Sequence, residues 1–258
     1  MNWREIIRTL TSASLLASLL LIQTAWAERP KLALVIDDIG WDLNMGRRVL
    51  NLPGALTVAV LPGTPVGSKL ALEAHNTGRE VMLHQPMTAE RGQDAGPGNL
   101  LPDMEPAAIA TMLAANLAEV PYHRGVSNHM GSLLTRCEAS MNAVMAELSR
   151  RGLYFLDSRT TPQTVALYSA QAANVPATRR DVFLDTIRDP EAIERALESA
   201  VRLAERRGHA VAIGHPHAAT LEVLEAQLPY ILRRVELVPV SSLVTLEKRS
   251  NRAQGVGE

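Results

Sequence analysis

Five times along this chain a short apolar run gives way at once to a residue able to bind a metal or carry a proton. LALVI runs into Asp37-Asp38, EVML into His84, GVSN into His129, LYFL into Asp157 and AVAIG into His215. Runs of four to six apolar residues separated by helical patterns read as buried strands. In α/β folds the carboxyl ends of parallel strands form one face, and ligands collect there. Carboxylates and imidazoles delivered to one rim therefore point to a metal-assisted hydrolytic site.

The spacing between these runs predicts repeated strand–helix units. Strands are expected near Lys31–Ile36, Leu56–Val60, Glu80–Leu83, Gly125–Asn128, Leu153–Leu156, Val175–Ala177, His209–Ile213 and Glu236–Val240, with Asp181–Asp185 a further polar-bracketed segment. Helices are expected near Leu43–Leu50, Val66–Asn76, Pro106–Glu119, Glu138–Arg151, from Thr161-Pro162, from Asp189-Pro190 to about Arg206, and from about Ala219. Gly78, Gly152 and Gly208 are placed as helix stops. Such alternation implies parallel strands with helices outside. The expected class is α/β, a distorted (β/α) barrel of about seven parallel strands, with an open doubly wound sheet as the alternative. The segment Thr88–Asp103, rich in Gly and Pro, is long for an α/β connection and reads as a substrate-binding loop.

The chain has 258 residues and a formal net charge of −1. Residues 1–27 resemble a secretory signal: Arg4 and Arg8 come first, Leu15–Ile22 forms a short apolar core, and Ala25-Trp26-Ala27 fits a cleavage site before Glu28. An uncleaved anchor helix is the alternative, although the core is short for a span of about 20 residues. The expectation is an exported, periplasmic domain over 28–248 with no membrane span after cleavage and a polar tail at 249–258. Losing Arg4, Glu5 and Arg8 takes the charge from −1 to about −2. That balance argues against nucleic acid and suits a neutral or mixed-charge substrate. Cys137 is the single cysteine, so no intrachain disulfide forms, and it reads as a small packed side chain rather than a nucleophile.

Adjacent residues in a strand point to opposite sides, so one carboxylate of Asp37-Asp38 is expected to face a metal and the other a water. Capping of the following helix is the bland alternative. Asp38, His84 and His129 would give one carboxylate and two imidazoles, the three-ligand arrangement of a catalytic zinc site. His215, in Gly-His-Pro-His, suits a general acid; a competing reading pairs it with His217 as a second metal site, and His217 otherwise reads as a helix-start residue. Arg159 either orients a carboxylate or holds substrate while Asp157 hydrogen-bonds a catalytic histidine, or the two form an ion pair that fixes a loop, and Arg180, Asp181 and Asp185 share that ambiguity. Trp41, just beyond the Asp pair, is the stacking candidate in a chain with only 3% aromatic residues. No P-loop, dinucleotide fingerprint or nucleophile elbow is present in the sequence.

Taken in order, VIDDIG, MLHQPM, GVSNHMGS, FLDSRTT, RDVFLD and AIGHPH closely resemble the divergent polysaccharide deacetylase (YibQ-like) family of the NodB-like carbohydrate deacetylases. The resemblance spans about Lys31 to Val244. It implies a distorted (β/α) barrel, a divalent metal, usually zinc, and a carbohydrate substrate. It also implies that Asp37 acts as base, Asp38 binds the metal and His215 is the catalytic acid. NodB-like enzymes place a second His four residues after the first; here Thr88 stands in that position, and His129 is the expected replacement. Three functions follow as candidates: removal of N-acetyl groups from an envelope or extracellular polysaccharide, a non-catalytic periplasmic carbohydrate- or partner-binding role, and a metal-dependent O-acetyl esterase.

Overall fold

The structure, a computed structural model, describes residues 28–244. The expected leader at 1–27 and the tail at 249–258 lie outside the described residues. Strands and helices alternate: β1 (Lys31–Ile39), α1 (Leu43–Leu50), β2 (Thr57–Val60), α2 (Gly67–Asn76), β3 (Glu80–Met87), α3 (Pro106–Glu119), β4 (His123–Met130), α4 (Glu138–Arg151), β5 (Tyr154–Asp157), α5 (Ala166–Ala172), β6 (Ala177–Arg179), β7 (Val182–Phe183), α6 (Pro190–Arg207), β8 (His209–Gly214), α7 (Ala218–Ile231) and β9 (Glu236–Leu237). Local chemistry sets several boundaries. Asp42 caps α1 by accepting from the amides of Asn44 and Met45 at 2.7 and 3.0 Å. Asp189 caps α6 ahead of Pro190, and Gly208 ends that helix at φ +85°.

All strand pairs are parallel, in the order β6-β5-β4-β3-β2-β1-β8-β7, with β9 beside the start of β1. The two end strands of this path, β6 and β7, are successive pieces of one segment, separated by Arg180 and Asp181. The first piece pairs with β5 and the second with β8. One segment can serve both ends only if the sheet curls round on itself, so the architecture is a distorted (β/α) barrel. The path holds eight strands rather than about seven because this segment changes partners midway.

Alternation along each strand divides the apolar residues into two layers. Ala33, Val35, Ala59, Met82, Leu156, Val211 and Ile213 fill the interior, while Leu32, Leu34, Ile36, Val58, Val81, Leu83 and Val126 face the helices. Both layers are buried because helices cover the outside of the sheet. The interior is closed at the amino ends of the strands. There Val238, Val240, Leu243 and Val244 join the inner layer and plug the barrel. Glu80 Oε1 accepts from the hydroxyls of Thr57 and Tyr154, each at 3.0 Å, and from the Ser241 amide at 3.2 Å, so the plug is tied to the strands.

Two expectations need correction. The site-bearing strands extend further than their apolar runs: β1 reaches Ile39, β3 reaches Met87 and β4 reaches Met130. Asp37, Asp38, His84 and His129 thus lie within strands, with His129 paired opposite Pro86 rather than in a turn. Backbone pairing continues past the apolar stretch because polar side chains can line the open mouth. Helix α5 begins at Ala166, not at Thr161-Pro162, and the Thr161 hydroxyl accepts from Gln163 N in a turn instead.

Candidate metal centre and catalytic rim

The odd residues of β1 point inward, from Ala33 and Val35 to Asp37. Simple alternation would turn Asp38 away. The register shows why it does not: Ile36 pairs with Val58 but Ile39 pairs with Val60, so one extra β1 residue is accommodated as a bulge at Asp37-Asp38. Asp38 sits there at φ +57°. Both carboxylates therefore meet the same imidazole, with Asp37 Oδ2 3.5 Å and Asp38 Oδ1 3.3 Å from His84 Nε2. The expected split of the pair to opposite sides is corrected by this bulge. Capping of the following helix is done by Asp42 instead.

His84 continues the inward phase of Met82 on β3. Its Nδ1 lies 2.7 Å from Ser127 Oγ on β4, which aims Nε2 at the carboxylates. Two residues beyond Ser127, His129 places Nδ1 2.9 Å from Asp38 Oδ1. Despite these approaches, Asp38 Oδ1 is buried without a well-directed hydrogen bond, as is Asp37 Oδ1. Ligand atoms of Asp38, His84 and His129 lie within 4.8 Å of one another. A buried oxygen with no directed donor, facing two imidazole nitrogens, fits a divalent cation better than it fits an internal hydrogen-bond network.

Thr88 has another task. Its amide and hydroxyl both donate to Leu100 O, at 3.1 and 2.8 Å, and its carbonyl accepts from Leu133 and Leu134. It pins the 88–103 loop to the end of β3, and the second imidazole comes from the neighbouring strand.

On the other side of the mouth, His215 follows Val211 and Ile213 on the inward phase of β8. Asp185 holds it twice, Oδ1 at 2.9 Å from the ring Nδ1 and Oδ2 accepting from its amide at 2.7 Å. Thr220 donates to the same Oδ2 at 2.8 Å. His215 Nε2 is left facing Asp38 Oδ2 at 3.9 Å. Asp185, His215 and His217 also lie within 4.8 Å of one another. Both Asp185 oxygens already accept protein donors, so this second set is the poorer cradle. His217 stands at the N-cap of α7 and makes no side-chain cap bond there.

The electrostatics separate these groups. Burial raises Asp37 above the usual carboxylate range, against the pull of His84 and His215. Burial also opposes ionisation of Asp38, but close contact with His129 and His84 outweighs it and holds Asp38 well below that range. Burial disfavours charge on His215, yet the Asp185 hydrogen bond and the fields of Asp37, Asp185 and Asp38 carry it up to about 9. A carboxylate raised and an imidazole raised across one mouth make an acid–base pair.

Asp157 does not orient a histidine. Its Oδ1 accepts from the Arg159 amide at 2.8 Å, and burial raises it. The ion-pair alternative is replaced by this local turn. Arg180 donates to the carbonyls of Ser158 and Arg159 at 2.7 and 2.9 Å and lies over the Phe183 ring. Trp41 stands 59% exposed on the rim. It is placed by Gly40, whose φ of +138° and close approach to Thr64 leave no room for a Cβ. The sequence left Ser127 unassigned and Asp185 ambiguous. Ser127 shares the alternating phase of His129, and that period was a readable signal.

Among the described residues no helix is long and apolar enough to cross a membrane. An uncharacterized protein of Escherichia coli K12, YibQ, is 40% identical over 214 residues, covering 83% of this chain and 67% of its own. The crystal structure of an uncharacterized protein from Agrobacterium tumefaciens C58 superposes with a TM-score of 0.78 at 24% identity, over 84% of this chain and 90% of that one. A CE4 family pseudoenzyme from Bacillus anthracis shares the fold at a TM-score of 0.51 and 12% identity, over 84% and 66%. The family model described as divergent polysaccharide deacetylase matches residues 34–244, and with a 40% identical relative beside it the chain belongs to the divergent polysaccharide deacetylase family.

Proposed function

We propose that this protein is an exported, metal-dependent hydrolase that removes N-acetyl groups from an envelope or extracellular polysaccharide. The observation that carries the reading is the constellation at one mouth: the undirected Asp38 oxygen between two imidazoles, with Asp37 and the Asp185-held His215 beside it. Asp38, His84 and His129 would hold the ion, zinc by the chemistry of the set. When bound, the cation supplies Lewis-acid charge to the acetyl carbonyl and to the negative charge that develops on its oxygen. Asp37, raised toward working pH, takes the proton from the attacking water. His215 carries a proton at neutral pH and delivers it from Nε2 to the departing amine, while Asp185 keeps Nδ1 engaged. Trp41, exposed on the rim beside Asp38, is the substrate-holding candidate, whereas Asp157 is buried and lines neither cleft at the mouth.

A second reading is favoured by Thr88, which serves the loop where NodB-like enzymes carry a ligand: a fold that binds carbohydrate without turning it over. The same acid–base pair would also serve an O-acetyl ester. One assay separates the three. Acetate release is measured on N-acetylglucosamine oligomers, peptidoglycan and O-acetylated glycans, with and without chelator. Chelator-sensitive release from an N-acetylated glycan supports the proposal. Release only from O-acetylated glycans assigns the esterase, and binding without release from any of them assigns the binder.

A further inference from the structure

Two clefts flank Trp41, and both reach Asp38. One, of about 130 Å³, lies toward the 88–103 loop and is walled by Pro62, Pro86, Asp94 and Pro97, with His129 at its floor. The other, of about 220 Å³, lies toward α1 and is walled by Asp42, Met45, Pro216 and His217. Each alone is smaller than the roughly 300–1,000 Å³ of an ordinary ligand site, and only together do they reach that range. A ligand that uses both must pass over the exposed indole between them. An indole face offers a flat apolar platform with a polar edge, which suits the C–H face of a sugar ring.

Away from the proposed cation at Asp38 and His129, the charged side chains lining the clefts are of one sign. Asp94 stands in the first and Asp42 in the second, and among the described residues no Lys or Arg lines either. Both carboxylates are fixed by backbone donors, Asp94 by the Gly96 amide and Asp42 by the first turn of α1. A glycan carrying carboxylates would meet like charge on both sides of the indole. Resting on the carbohydrate reading above, we infer that the substrate is an uncharged N-acylated oligosaccharide bound across Trp41 with one unit in each cleft, and that Asp42 and Asp94 select against carboxylate-bearing glycans.

Trp41 is itself the reporter. The sequence holds three tryptophans, so Trp3→Phe and Trp26→Phe in the full chain leave Trp41 as the single indole. Asp37→Asn is added to hold substrate without turnover, and zinc is supplied. Emission is titrated with an N-acetylglucosamine tetrasaccharide, with the monosaccharide, and with a tetrasaccharide in which alternate units carry a lactyl carboxylate. The neutral tetramer should shift Trp41 emission, and the other two should bind at least about tenfold more weakly, equivalent to about 1.4 kcal/mol. Asp42→Asn with Asp94→Asn should erase most of the penalty on the carboxylated tetramer. Asn can cap α1 and accept from Gly96 as Asp does, so the loss would be of charge alone. Equal binding of the carboxylated tetramer, equal binding of the monosaccharide, or no shift with any sugar overturns the inference. Acetate release from the neutral oligomer with a silent Trp41 would leave the hydrolase standing and remove the two-cleft mode. The selective shift without acetate release would do the reverse.

Discussion

Asp38 holds φ at +57°, a region that a residue with a Cβ enters at a cost of about 1–3 kcal/mol, and the bulge it sits in brings it to the same imidazole as Asp37. Burial then raises Asp37, while contact with His129 and His84 outweighs burial at Asp38 and depresses it. His215 is the partner whose titration is open to measurement. Its folded value of about 9 lies above the ordinary 6.5, so the fold favours the protonated ring. The stability this adds is fully present below about pH 6.5 and is lost as pH rises through about 9. Activity that needs the same proton should fall over the same alkaline limb, and the acid limb should follow Asp37, above the usual carboxylate range. Asp185→Asn should lower the alkaline limb by about 1–3 units, because it removes the neighbouring opposite charge. A pH–rate profile of the two proteins checks this: an unmoved alkaline limb would show that His215 is not the proton donor.

The chemistry-bearing residues were legible at the scale of elements because apolar strands in a barrel must stop being apolar where the mouth opens. Asp37, Asp38, His84, His129 and His215 all announce themselves in that way. The bulge was not legible, since it depends on the pairing of β1 with β2, which is a property of two segments. Asp185 was ambiguous for the same reason: it lies 30 residues from His215 in sequence, and only the β7–β8 pairing brings them together. Ser127 supports His84 across a strand boundary, and its shared alternating phase with His129 is its one trace in the sequence. The β3–β4–β5 region carries a test of its own. Gly125 on β4 lies beneath the Tyr154 ring, and a Cβ there would come within 2.4 Å of ring carbons. Gly125→Ala should cost about 1–3 kcal/mol by overpacking, because a ring locked to Glu80 cannot step aside. Denaturant unfolding would check it, and an unchanged midpoint would show that the ring is free to move.

Across the whole molecule, the two ends of the barrel divide the labour. The carboxyl ends of the strands hold the candidate site, and the amino ends are sealed by the chain's return after α7. The sequence showed a final strand near Glu236–Val240, but only Glu236–Leu237 pairs, and the rest turns inward as a plug. Hydrophobicity alone does not distinguish a strand from a plug. Val238, Val240, Leu243 and Val244 each bury an apolar side chain worth about 1.5–3 kcal/mol. Their sum rivals the roughly 5–15 kcal/mol by which a domain is stable. Truncation after Leu237 should therefore abolish cooperative thermal unfolding followed by circular dichroism, and a cooperative melt near that of the full chain would show that the seal is dispensable.

The central claim is that Asp37 moves a proton while Asp38, His84 and His129 hold the ion, and acetate release at matched metal content tests it most directly. Wild-type protein and Asp37→Asn are loaded with zinc, their metal content is measured, and both are given the same N-acetylglucosamine oligomer. The expected result is equal zinc in both proteins, chelator-sensitive acetate from the wild type, and a rate lower by about 10²–10⁴-fold from Asp37→Asn. Equal acetate release by the two proteins, or wild-type release that chelator leaves untouched, would contradict the account.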